Sequence, residues 1–181
     1  MKTPHALLLI GAALAWAGHA RAATPESKAA YVQARDAAAA AYKSARARCD
    51  VVTGNPKALC VAEAKAERVR AEEEASAAYQ NTLKGYTEAR LRIASANYDR
   101  DKTRCAAFTG NERDVCVQQA KATLVAAQAD AKADRKTIEA RAEARDDKLT
   151  AAYRVAMEKC DAFAGAAKDH CVGAAKSAYG K

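Results

Sequence analysis

Large apolar side chains are scarce in this sequence. Beyond residue 22 there is no tryptophan, and the bulky apolar complement comes down to two phenylalanines, Phe108 and Phe163, and one methionine, Met157, with scattered leucine, isoleucine, valine and tyrosine. The hydrophobic fraction of 50% is deceptive, because much of it is alanine. Alanine is the strongest helix former yet buries little area, so alanine-rich helices form readily and hold one another only weakly. A thick globular core is therefore excluded. A slender helical body with covalent support is expected instead.

Proline is missing from residues 61–104 and 117–159, which consist mostly of strong helix formers. Each stretch is able to form one helix about 65 Å long. The weak point is Asn81-Thr82-Leu83-Lys84-Gly85, where poor helix formers and a glycine allow a kink or a break. With both stretches straight, successive units point to opposite ends. With the first one broken near Gly85, the units become separate hairpins in series.

The usual carriers of chemistry are also missing. The chain has no glycine-rich phosphate loop, no serine-nucleophile motif and no metalloprotease helix. Its cysteines lack the two- to four-residue spacing of metal sites and the Cys-x-x-Cys of redox pairs. Beyond residue 22 the single histidine is His170, next to Cys171, and it reads as a surface residue near a helix start. Asp146-Asp147 and Glu72-Glu73-Glu74 sit in mixed-charge stretches and read as solvent-facing. No enzyme activity, catalytic residue, metal or cofactor is expected. Basic and acidic residues alternate (Glu63, Lys65, Glu67, Arg68, Arg70, Glu72), which argues against a nucleic-acid surface.

What is present begins with an export signal. Lys2 supplies a positive charge, Ala6 to Trp16 is an apolar run, and Ala20-Arg21-Ala22 offers small residues before a cleavage point near Ala22. The run is shorter than the roughly 20 residues that span a bilayer, and nothing later in the chain qualifies, so no transmembrane anchor is expected. Residues 1–22 are read as signal peptide and 23–181 as a helical repeat region. Removing Lys2 and Arg21 leaves 28 basic against 22 acidic residues, a formal charge of +6. That modest excess suits an anionic envelope polymer or lipid as partner.

The strongest feature is internal repetition. The chain reads Tyr42-x6-Cys49-x10-Cys60, Tyr98-x6-Cys105-x10-Cys116 and Tyr153-x6-Cys160-x10-Cys171. A glycine stands five residues after each first cysteine (Gly54, Gly110, Gly165), a valine follows each second one, and Ala64-Lys65, Ala120-Lys121 and Ala175-Lys176 close the motifs. The copies lie about 55 residues apart, room for two helices each.

The glycines predict turns. A helix often ends at a residue with positive φ, and Gly54 is followed by Asn55 and Pro56, types suited to an N-cap and a first helical position. Gly110-Asn111 repeats the signal, whereas Gly165-Ala166-Ala167 lacks the capping side chain and is expected to fray more. Such short turns make αα-hairpins with tips at 49–60, 105–116 and 160–171. Across each tip the two cysteines stand at the same height, so the pairs Cys49–Cys60, Cys105–Cys116 and Cys160–Cys171 are expected to be structural disulfides. Alanine-lined helices approach closely enough for that. Each bridge is worth roughly 2–4 kcal/mol by chain entropy, and an exported chain with an even cysteine count fits the assignment. Tyr31, Ala34, Ala38, Tyr42, Ala45 and Cys49 form one helical stripe, and Ala64, Ala71, Ala75 and Ala78 continue a facing one. Each tyrosine seven residues before a first cysteine then packs two turns below the bridge.

The motif Cys-Asp-x-x-x-Gly-Asn-x-(Lys/Arg)-x-x-Cys-Val-x-x-Ala-Lys, at 49–65 and again at 105–121 with Ala106 replacing Asp, resembles that of small exported Ala/Lys-rich proteins of β-proteobacteria described as TolA-like cell-envelope proteins. The resemblance covers nearly all of the chain beyond the signal and implies a periplasmic address with an envelope protein as partner. The expected fold is all-α, elongated antiparallel hairpins with a coiled-coil character and three braced tips. The expected role is structural or interactive, with an amphipathic binder of lipids or unfolded clients as the alternative.

Overall fold

The computed structural model describes residues 27–181, and the signal segment read at 1–22 lies outside the described residues. Five α-helices follow one another: α1 (Lys28–Arg48), α2 (Gly54–Gln80), α3 (Leu83–Arg104), α4 (Gly110–Cys160) and α5 (Gly165–Tyr179). One-turn 3-10 segments, Cys49–Val51 and Cys105–Ala107, close α1 and α3. No strand occurs among the described residues. The fold is all-α, a set of antiparallel hairpins braced at three tips. Ser27 starts α1 as an N-cap, its hydroxyl accepting from the Ala30 N–H at 3.2 Å.

The helices pack in chain order, α1 on α2, α2 on α3, α3 on α4 and α4 on α5. The first four therefore form a row rather than a closed bundle. Their core is almost atomically thin. Every buried residue among those described is alanine, cysteine, glycine or threonine, including Ala38, Ala64, Ala75, Ala89, Ala94 and Ala131. Small side chains let the backbones close in, which is what permits three helix-to-helix disulfides. The predicted stripe on α1 holds its place, with Ala38 and Cys49 buried and Tyr31, Ala34, Tyr42 and Ala45 half-buried. On α2, Ala64 and Ala75 face α1 as expected, while Ala71 is exposed.

The first proline-free stretch does break, but ahead of Gly85. Asn81 takes the left-handed conformation (φ 45°, ψ 42°) and ends α2; Thr82 then caps α3, accepting from the Gly85 N–H at 3.0 Å. Gly85 sits inside α3, and its role is steric: a Cβ there would lie 3.1 Å from Thr82 Oγ1 and 3.2 Å from Gln80 Cβ. The break does not leave hairpins in series. It folds α3 back along α2, and Ala66, Ala77 and Ala89 are buried in the seam that results. Arg92 to Glu73 (2.8 Å) and Arg104 to Glu63 (3.8 Å) flank that seam and fix its register.

The second stretch runs unbroken as part of the 51-residue α4, about 76 Å from end to end. Its first half packs on α3, with Arg90 to Asp134 (2.7 Å) near the end of the overlap, and its last turns pack on α5. Residues 136–149 between them are exposed on every side. Tips one and two thus lie together, and tip three lies at the far end.

Candidate functional site

The three tips share one geometry. In each, the cysteine Cα atoms stand 5.6 Å apart across the bridge. The first cysteine of each pair, Cys49, Cys105 or Cys160, is sealed in the seam, while Cys60, Cys116 and Cys171 are only half-buried. No free cysteine remains.

The glycines occupy the left-handed region as anticipated, with φ of +67° at Gly54, +54° at Gly110 and +53° at Gly165. Their place differs from the expectation, though. Each is the first residue of the following helix instead of the last of the preceding one. The preceding helices α1 and α3 end in the 3-10 turn and α4 in a turn at Asp161, and an extended residue, Thr53, Thr109 or Ala164, leads to each glycine. A Cβ at any of the three glycines would meet nothing within 4 Å, so the requirement is for positive φ alone. Nor is Asn55 an N-cap. None of the three tip helices has a side-chain cap at Thr53, Thr109 or Ala164, so the missing asparagine does not set the third tip apart. Its isolation from the other two does.

Asn55 reaches across to the neighbouring tip. With its amide turned to satisfy both ends, it donates to the Thr103 carbonyl at 3.3 Å and accepts from the Ala107 N–H at 3.2 Å. This clamps tip one to tip two. Asn55→Ala is expected to lower stability by about 1 kcal/mol, read as a small drop in melting temperature with faster amide exchange at Ala107.

One feature of the tips escaped the sequence reading. The third residue after each first cysteine is large and apolar, Val52, Phe108 or Phe163, and the three are 37%, 42% and 52% exposed. The backbone N–H of each returns to the carbonyl of that cysteine, at 3.4, 3.2 and 3.1 Å. A disulfide-fixed turn therefore holds an apolar side chain outward at every tip. Both phenylalanines of the chain stand at this one repeat position, and that coincidence was the available signal.

Charge is arranged on the repeat as well. Lys57 meets Asp50 at 2.9 Å and Lys168 meets Asp161 at 2.9 Å, the same two positions of tips one and three. The Lys57 hydrogen bond and charge hold the Asp50 carboxyl below its ordinary range, and Asp161 raises the Lys168 ammonium. A depressed carboxylate adds stability that is present above its unfolded pKa and lost as pH falls through the folded value. Acidification below about pH 4 is accordingly expected to release the exposed Asp50–Lys57 pair, a small loss of stability in a tip that the disulfide keeps closed. Chemical shifts of Asp50 and Lys57 would report it. In tip two the pair is gone, since Ala106 stands opposite Arg113.

Two turns below the bridges, the Arg68 guanidinium lies 5.4 Å from the Tyr42 ring centroid, and Tyr153 meets Tyr179 edge-on at 6.1 Å. Tyr31 and Tyr79 stack at 5.0 Å at the other end of the first hairpin. Open grooves of about 550 Å³ and 540 Å³ run along the first and second hairpins, lined by Tyr42, Cys60 and Glu67 in one and by Phe108, Cys116 and Thr123 in the other.

His170, Asp146 and Asp147 are exposed. Glu72 and Glu73 are instead half-buried in ion pairs, each at 2.8 Å: Glu72 with Arg68 on the α1 side of α2, and Glu73 with Arg92 of α3, which folds back beside it. Among the described residues no three His, Cys, Asp or Glu side chains are grouped as metal ligands, and no helix is long and apolar enough to cross a membrane. No family model, curated protein or solved structure matches this chain.

Proposed function

We propose that this chain is a non-catalytic interaction protein of the cell envelope, exported to the periplasm, that holds partners at its braced tips. The observation that carries the reading is the repeated apolar side chain, Val52, Phe108 and Phe163, kept outward by three equivalent disulfide-fixed turns. Exposed aromatic side chains on a rigid turn are efficient binding anchors, because little conformational freedom is lost on contact. The two ends of α4 stand about 76 Å apart, so tips at both ends suit a spacer between two partners. The export signal, the three bridges and the resemblance to exported envelope proteins support the address.

Phe108→Ala and Phe163→Ala, made singly and together, test it by cross-linking in the intact envelope. Each single change is expected to remove the partner captured at its own end, and the double change both. Capture of the same proteins by the double variant would sink the proposal. Binding to anionic vesicles by all variants alike would instead favour a lipid-binding role.

A further inference from the structure

We propose that the outer face of α4 is a self-association surface, through which two copies of the chain pair antiparallel and rebuild the α2–α3 seam between them. This inference stands independently of the functional reading above.

The case rests on the repeat. Within the chain, the second helix of unit one meets the first helix of unit two along Ala66 and Ala77 of α2 and Ala89 and Ala96 of α3. Ala66, Ala77 and Ala89 are 3%, 2% and 4% exposed. Counted from their cysteines, the equivalent positions are Ala122 and Ala133 on the second helix of unit two, and Ala144 and Ala151 on the first helix of unit three. All four remain alanine. All four are exposed, because α4 runs straight through the place where α2 turns into α3.

Both equivalents lie on one helix, and on one face of it. Ala122, Ala133, Ala144 and Ala151 fall within a narrow angular band at 100° per residue, on the side of α4 opposite the buried Ala120 and Ala131 that face α3. Had α4 folded back as the α2–α3 corner does, its two halves would have covered each other. A straight connector leaves each half waiting for the other, and a second copy laid antiparallel supplies both at once. That is the geometry of an exchanged element, with an isologous interface closed by a two-fold axis. Tandem arrays usually cap their terminal faces with polar side chains, whereas this band adds exposed Val115 and Ala140 to its four alanines, and Asp147 and Glu158 are the charged residues that fall along it.

The clamp repeats too. Asn111 holds the repeat position of Asn55, which binds the carbonyl two residues before the next first cysteine and the N–H two residues after it. In the pair, the corresponding groups are the Glu158 carbonyl and the Ala162 N–H of the second copy. Tip two of one chain then stands beside tip three of the other. Each end of the assembly carries a row of three tips.

Sedimentation equilibrium on the exported, oxidised chain tests this, together with amine cross-linking. The expected result is a dimer. Ala133→Glu combined with Ala144→Glu would bury four unpaired carboxylates in it, so the dissociation constant should rise at least about tenfold with helix content unchanged. Ala142→Glu, in the exposed stretch but on the α3 side of α4, should leave association as it was. Lys121 and Lys159 are 38 residues apart on α4, about 57 Å within one chain, yet neighbours in the antiparallel pair. Their cross-link is expected in the dimer band only. A monomeric wild type, a dimer indifferent to the double substitution, or a Lys121–Lys159 link within the monomer band would each overturn the proposal, the last by showing that α4 folds back on itself.

Discussion

Replacing Cys160 and Cys171 with serine is expected to detach α5 from the molecule while the first four helices stay folded. α5 has 15 residues and, among the described residues, packs on the last turns of α4, where Tyr153 meets Tyr179 and Ala175 is its one buried side chain. A helix of that length is marginal by itself in water. The bridge closes a short loop and contributes about 3 kcal/mol through the unfolded chain, more than so small an alanine contact is able to replace. Amide exchange over 165–179 should become fast, with protection of α1 to α3 unaltered. Retained protection in α5 would show that packing, and not the bridge, holds the third hairpin.

The same deletion at Cys49 and Cys60 should be milder locally, because α2 is also gripped from its other side by α3, by the Glu73–Arg92 ion pair and by the Asn55 clamp. Stability in arrays of this kind is close to a sum over neighbouring contacts, so the effect of each bridge depends on what else its hairpin touches. Reduction of all three removes about 9 kcal/mol by the chain-entropy estimate, which rivals the whole stability of an ordinary domain. Tertiary melting should therefore fall steeply on reduction while much of the helical signal, supplied locally by alanine, persists.

The tips were readable from the sequence because their signals are discrete. Fixed cysteine spacing, a glycine needing positive φ and a tyrosine two turns below leave few alternatives. The long α4 was readable from the absence of breakers. The return of α3 along α2 was not, and the reason is alanine. α2 carries one seam through Ala64 and Ala75 and a second, on its opposite face, through Ala66 and Ala77. Helical periodicity detects a face only where apolar and polar residues alternate, and alanine occupies buried and exposed positions alike. The corner itself fell inside the segment marked as weak, at its first residue and not at Gly85, because asparagine, like glycine, accepts the left-handed conformation. The outward apolar residues at the tips were passed over because cysteine and glycine dominate the motif around them.

The second large effect tests the seam that the sequence concealed. Ala77→Leu changes little in local helix propensity, since leucine ranks just behind alanine. Ala77 is only 2% exposed, however, and the added side chain has no room between α2 and α3. Overpacking of this kind costs about 1–3 kcal/mol, and here the helices cannot yield toward the tips, where the Asn55 clamp binds one hairpin to the other. Strain should collect at the Asn81-Thr82 corner, so the melting temperature falls by roughly 2–4 °C per kcal/mol and exchange quickens there first. Ala37→Leu, on an exposed face of α1, makes the same chemical change without a neighbour and should leave stability within about 0.5 kcal/mol of the original. Equal melting of the two variants would mean that α2 and α3 do not close on one another. The structure's explanation for what folds the first two hairpins into a single row would then fail.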